Sequence, residues 1–389
     1  MNRIIPRLLI LIAATLLIHQ VFQSESRACN IAVISAAESA TGRPFIWKNR
    51  DHAGSYRHEV LYYAEPADED KIELDGKIVT GIGGSVRLMG ETTYDTNVSV
   101  CTGGANESGF AITNTTCVDG DNDPFDISNV NTELMEKALE NCKTLAQFEN
   151  LLSNFTSIWL NKNISGIFAV IDAQGGAAIY EMWTDCNNND IMFRKFNVDI
   201  GAVTDESGEI FTDIKFEQTT GFINRTNSNH TNGWIDIWTD DPRELRGRQL
   251  LSQMKDDSAL TPRNVMRYLS KDVLGGNTAT YCTSENVQNC WDWSVDSWDN
   301  PNYAGELYTR FAISRYQTSM GLVIEGAATA EQAKLTTMWV ALGEPSLSVF
   351  IPYFPYAQTI SKYATDDAHT NDGYYWDGVS DSQDNKANS

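Results

Sequence analysis

The chain has 389 residues, 42% of them hydrophobic, and a net charge of -23 at pH 7. That size and apolar content suffice for one large core or two small ones, and they exclude a disordered chain. Charge of this sign repels polyanions, so nucleic-acid and anionic-membrane partners are disfavoured, while the fold is left open.

Residues 1–28 begin with Arg3 and Arg7, continue through an apolar run from Leu8 to Ile18, and end in the polar stretch Ser26-Arg27-Ala28. This is the layout of a signal peptide, with small residues where the peptidase reads. The apolar run is shorter than the roughly 20 residues a membrane span needs, and no later segment exceeds it. The expectation is an exported, secreted or periplasmic protein with no stable membrane span, starting at Cys29. Export permits disulfides. The cysteines are Cys29, Cys101, Cys117, Cys142, Cys186, Cys282 and Cys290. Setting Cys29 aside leaves an even set, in which Cys101/Cys117 and Cys282/Cys290 are candidate bridges, although spacing does not fix connectivity.

In chain order, residues 30–35 and 44–47 read as strands around the polar turn Thr41-Gly42. A bend near Ala40 makes the second strand return Lys48-Asn49-Arg50-Asp51 to the neighbourhood of Cys29. Further strands are expected at 79–82, 109–113, 166–172, 177–183, 320–325, 337–342 and 348–352. Helical spacing covers 132–142, 145–152, 242–254 and 262–269, the last with Pro262 following a Thr261 cap. Strands and helices come in separate blocks, which favours an α+β layered fold over a doubly wound sheet. With no internal repeat or dividing linker, one domain is expected over 29–364, followed by a polar tail at 365–389.

Cys29 carries the sharpest chemical signal. A free α-amino group titrates near about 7.7–8.0, so an N-terminal cysteine brings its own general base. A bridged or lipid-bearing cysteine is the other reading. His52, His58, His230 and His369 form no recognisable Cys/His protease signature. In the returning segment, Asp51 is a candidate to hold a terminal ammonium, and Lys48 or Arg50 to favour thiolate over thiol. An ordinary charged strand end is the alternative. Asp119, Asp121 and Asp123 have the opening spacing of a calcium loop, but Pro124 stands at its glycine position and Val130 at its bidentate glutamate, which favours a solvated loop. Scattered histidines and the lack of CxxC or HExxH disfavour zinc, and no cofactor or metal is expected. Tyr281, Trp291, Trp293, Trp298 and Tyr303 either wall an acyl pocket or pack a loop.

The blocks "CNIAVIS", "GRPFIWKNRD", "GGANESGFAITN", "GIFAVIDAQGGAAIYE", "GFINRTN" and "LTTMWVALGEP" occur in this order from Cys29 to about Pro352. Together they resemble the autoproteolytic acyltransferase family that includes isopenicillin-N acyltransferase. That family is related to choloylglycine hydrolases, penicillin V acylases and acid ceramidase-like amidases. The resemblance implies a four-layer αββα sandwich of the N-terminal-nucleophile hydrolase type. It also implies a thiol-dependent amidase or acyltransferase that cleaves a linear, non-peptide amide C–N bond in a small N-acyl amide through an acyl-thioester. By position, Cys29 matches the nucleophile, Asp51 the aspartate that holds the amino group, and Asn227 the oxyanion-hole asparagine. Asn114 is an oxyanion or substrate-contact candidate, with a turn asparagine as the other reading. The family's downstream arginine falls on Arg243, with Arg246 one turn later, unless these arginines form a solvated face.

The chain departs from the pattern Arg-Asn-x-Asp. Lys48 stands in the arginine's place and Arg50 lies between Asn49 and Asp51, so the guanidinium fork is lost or supplied by Arg50. Relatives remove a prosegment by self-cleavage, whereas here either a signal peptidase cut at Cys29 or an earlier cut followed by self-trimming would expose it. Two other classes stay open, a surface lipoprotein modified on Cys29 and an inactive scaffold. Ser26 and Arg27 stand where a lipoprotein signal has leucine and a small residue. Substrate identity and oligomeric state depend on loops and surfaces that spacing does not reveal.

Overall fold

The first described element is a hairpin. Strand β1 (Asn30–Ile34) runs antiparallel to β2 (Phe45–Asp51), with Asn30 opposite Asn49 and Ile34 opposite Phe45. The bend is closed by Ser39 N–H to the Ser35 carbonyl and Gly42 N–H to the Ser39 carbonyl, with Gly42 at φ 68°. Ile31, Val33 and Ile46 line one face of this hairpin, and Ala32, Ile34, Phe45 and Trp47 the other. Both faces are covered, which is why these strands read as apolar runs rather than as alternating patterns.

The computed structural model describes residues 29–51, 58–64, 73–74, 77–78, 84–92, 95–116, 130–158, 164–184, 191–205, 207–211, 220–227, 242–273, 312–315 and 317–357. The leader, the strand expected at 79–82, the acidic segment 119–126, the tryptophan-rich stretch, Cys117, Cys186, Cys282, Cys290 and the tail lie outside them.

The remaining strands, in chain order, are β3 (His58–Tyr63), β4 (Glu73–Leu74), β5 (Lys77–Ile78), β6 (Ser85–Thr92), β7 (Asp95–Asn106), β8 (Ala111–Thr116), β9 (Ser165–Ile171), β10 (Ala177–Thr184), β11 (Ile191–Asn197), β12 (Val203–Asp205), β13 (Ile210–Phe211), β14 (Phe222–Arg225), β15 (Thr318–Glu325), β16 (Thr337–Leu342) and β17 (Ile351–Tyr353). One six-stranded sheet has the order β14-β1-β2-β15-β16-β17, and a nine-stranded sheet the order β13-β12-β11-β10-β9-β8-β7-β6-β3.

Inner-face side chains of the two sheets share one core, with Ile31, Ile46 and Leu322 against Leu88, Ala105, Ile167 and Ile179. Helices α1 (Val130–Asn141) and α2 (Leu145–Ile158) contribute Leu134, Leu139 and Phe148 to a second core with Phe110, Phe168 and Tyr180 of the larger sheet. Helix α3 (Pro242–Asp256) and the short α4 (Pro262–Asn264) with its continuation bury Leu251, Val265 and Leu269 against Trp47, Phe222 and Val323 of the smaller sheet. Sheets and helices therefore segregate, as the α+β expectation held.

Several expectations are corrected in detail. The helix expected over 262–269 starts at its Thr261 cap, whose Oγ1 accepts from Asn264 N, but from Val265 to Leu269 it is a π-helix. The strand expected at 348–352 forms only over Ile351–Tyr353. Cys29, Cys101 and Cys142 are free and buried, and no disulfide occurs among the described residues. The Cys101/Cys117 pairing is thus not seen: the Cys101 sulfur packs in the helix-side core of the larger sheet, and burial pushes its thiol up to about 12. Among the described residues no helix is long and apolar enough to cross a membrane.

Candidate active site

Cys29 directly precedes β1, which is flanked by β14 and β2. Ile31 lies opposite both Arg225 and Lys48. Continuing these registers toward the chain start sets Cys29 across from Asn227 on one side and Arg50 on the other. Side chains alternate faces along a strand, so Cys29 shares the face of Ile31 and Val33, Asn227 that of Ile223, and Lys48 and Arg50 that of Ile46. This face looks into the space between the sheets. Cys29 and Asn227 are each 7% exposed and Lys48 is 0% exposed.

Lys48 crosses from one sheet to the other. Its Nζ donates to the Thr102 carbonyl at 2.9 Å and to Asn114 Oδ1 at 3.2 Å. The Thr113 hydroxyl also donates to the Thr102 carbonyl at 2.8 Å, which fixes that acceptor. Burial lowers the Lys48 pKa to about 7, opposed by the Cys29 sulfur and reinforced by the Arg50 charge.

Asp51 is three residues beyond Lys48 and points the other way, toward the helical layer. Its Oδ2 accepts from Arg243 Nη1 at 3.1 Å and Arg315 Nε at 2.8 Å, and its Oδ1 from the Thr318 hydroxyl at 2.6 Å. Burial pushes the carboxyl above its ordinary range, while the two guanidiniums and the hydroxyl oppose that push. A bulge in β15 between Thr318 and Met320 turns Thr318 onto this face. The cluster is one residue beyond the Cys29 position in the ladder, so Asp51 adjoins the strand end without sharing the thiol's face.

Of the three arginines in α3, Arg243 is in the site. Arg246 instead grips Asp272 at 2.8 and 3.2 Å, and Arg248 reaches Glu244 at 3.4 Å. Glu244 has a positioning role that sequence reasoning missed. Its carboxylate accepts from Thr226 N and Oγ1 at 3.3 and 3.4 Å, and its carbonyl accepts from Asn224 Nδ2 at 2.7 Å, holding the strand end that carries Asn227. Arg315 and Thr318 were also missed: they stand 264 and 267 residues from Asp51, and no local spacing links them to it. Arg225 and Glu181 form a further buried pair at 3.2 Å that bridges the two sheets. Among the described residues no group of three or more His, Cys, Asp or Glu is gathered to hold a metal ion.

No family model matches the chain, and no curated protein matches it. Among solved structures, an arginine-to-leucine variant of conjugated bile acid hydrolase from Clostridium perfringens aligns with a TM-score of 0.39 and 12% identity, over 86% of this chain and 98% of that one. A cysteine-to-alanine mutant of the same hydrolase aligns with a TM-score of 0.36 and 10% identity, over 84% and 96% of the two chains.

Chemically, the arrangement places a thiol among cations, with an amide side chain across the ladder. A thiolate is the form of cysteine that attacks carbonyl carbon. An asparagine N–H is a donor suited to a developing oxyanion.

Proposed function

We propose that the protein is an exported thiol-dependent amidase or acyltransferase that cleaves a linear amide C–N bond in a small N-acyl amide. The observation that carries this reading is the convergence of Cys29, Lys48 and Asn227 on the inner face of three neighbouring strands, with Asn114 reaching in from the other sheet. In this reading residues 1–28 are a signal peptide, residues 29–364 one N-terminal-nucleophile domain and residues 365–389 a tail. The finer fold, four layers in the order αββα, is supported by the three stacked cores.

The α-amino group of Cys29 takes the thiol proton, and the thiolate attacks the amide carbonyl. Asn227 and a backbone N–H stabilise the oxyanion; on collapse the α-ammonium passes its proton to the leaving nitrogen, the C–N bond breaks and an acyl-thioester remains. Water or an acceptor amine then releases the acyl group. Asp51 holds the amino end, with its own charge balanced by Arg243 and Arg315.

Intact mass and N-terminal sequencing of the exported chain, before and after a thiol alkylator, test this. A start at unmodified Cys29, one alkyl group gained, and loss of turnover on an N-acyl amide panel are expected. A different start, or a lipid on Cys29, would remove the mechanism.

A further inference from the structure

Lys48 is an unusual residue to find wholly buried between two sheets, and the function proposed above gives it no proton to carry. A neutral lysine amine has two N–H bonds and one lone pair, whereas an ammonium has three N–H bonds. Two acceptors, the Thr102 carbonyl and Asn114 Oδ1, take two of the Nζ positions. One position remains, either a lone pair able to accept a proton or an N–H able to donate one. Cys29 lies at the start of the neighbouring strand, on the same inner face as Lys48 and one diagonal step away in the register, and both are buried, which keeps a long side chain within reach of the sulfur. Among the described residues, the other charged or titratable groups within reach are Arg50, on the same strand, and Cys101, on β7. The facing strands β8 and β9 carry no charged side chain.

We infer that Lys48 and Cys29 share one proton, so that the lysine side chain is a second base for the nucleophile alongside the α-amino group. The inference rests on the amidase reading for its substrate but not for its chemistry. In the forward transfer the S–H bond breaks and an N–H bond forms, which converts thiol and amine into thiolate and ammonium. As the amide C–N bond breaks, the same proton passes to the departing nitrogen and Lys48 becomes neutral again. Water attacking the thioester then gives its proton to Lys48, which returns it to sulfur as the C–S bond breaks. A lysine lowered to about 7 suits this traffic, because a base near the working pH is half free and its conjugate acid still donates. An arginine at this position would stay protonated and could offer only charge.

The test is the rate of alkylation of Cys29 by iodoacetamide from pH 5 to 10, read on the Cys29 peptide. It compares the exported protein, Lys48→Met, Lys48→Arg, and a chain retaining Ala28 ahead of Cys29. Lys48→Met is expected to slow alkylation at pH 7 by about tenfold or more and to move the profile to alkaline pH. Lys48→Arg is expected to restore fast alkylation but not amide turnover, which separates a proton carrier from a fixed charge. The Ala28-retaining chain, with no amine on Cys29, is expected to keep its Lys48-dependent alkylation. Identical profiles for the exported protein and Lys48→Met would overturn the inference, as would loss of all fast alkylation in the Ala28-retaining chain. Lys48-dependent alkylation without any amide turnover would count against the amidase reading and leave the shared proton standing.

Discussion

At the scale of single residues, burial and charge make Lys48 and Asp51 the most consequential side chains of the site. In the unfolded chain Lys48 titrates at its ordinary value, and in the folded chain near about 7. Between those values the unfolded state holds a proton that the folded state has released, so stability rises with pH across this window. Urea unfolding at a series of pH values should therefore show the native protein gaining on Lys48→Met from pH 7 to 10, by about 4 kcal/mol at most. Below pH 7 both states are protonated and the difference should be flat. Asp51→Asn removes the carboxylate that two buried guanidiniums face. It should cost about 3–5 kcal/mol by denaturation and abolish turnover, because charges without partners are more expensive than the pair was favourable. Asp51 and Lys48 were both legible in "KNRD", since a hairpin returns that segment to Cys29. Arg315 and Thr318 were not, because only packing joins residues so far apart.

At the scale of elements, the site depends on how β2 and β14 are tied to the helices behind them. Asn49 Nδ2 donates to the carbonyls of Ser270 and Ile313 at 2.8 and 3.2 Å, and the Ser270 hydroxyl donates back to Asn49 Oδ1 at 2.6 Å. This bolts the end of the π-helix to the strand that carries Lys48. Asn49→Ala leaves two buried carbonyls and a hydroxyl without that partner, and thermal unfolding should register a loss of about 1–3 kcal/mol. Asn49 therefore ties strand to helix. Gly221 enters β14 at φ 96°, and a Cβ there would run into the side chain of Glu38. Gly221→Ala should displace β14 and lower turnover more than it lowers melting temperature, since Asn227 rides on that strand. Strands β9, β10, β15 and β16 were legible as apolar runs with clear ends. Strands β7 and β14 were not: "DTNVSVCTGGAN" is polar and glycine-containing, and "FINR" is too short for a periodic signal.

At the scale of the whole molecule, two sheets face each other and the site lies where both contribute. Arg225 of the smaller sheet meets Glu181 of the larger at 3.2 Å, with its guanidinium 4.9 Å from the Phe196 ring. Both are buried, so removing either partner should destabilise the protein by about 3–5 kcal/mol, while Arg225→Met with Glu181→Leu should recover much of that loss. Chemical denaturation of the single and double variants measures the coupling. No recovery in the double variant would mean that the pair acts through separate contacts. Lys48 makes the same crossing a few residues away, so a slip between the sheets would disturb the thiol's neighbour as well as the ion pair.

By itself the sequence determined the α+β class, the opening hairpin and the place of Cys29 at its end, because these follow from local periodicity, turn residues and the strand pleat. It also marked Lys48 and Asp51 through the hairpin, and the family resemblance marked Asn114, Asn227 and Arg243. Only the tertiary structure decided which face of that strand meets the second sheet and which meets the helices, that Cys101 stays a free thiol, and that Arg315, Thr318 and Glu244 complete the surroundings. The physical reason is that burial, ion pairing and proton affinity are properties of neighbours in space. Those neighbours come from segments tens to hundreds of residues apart that no local pattern connects.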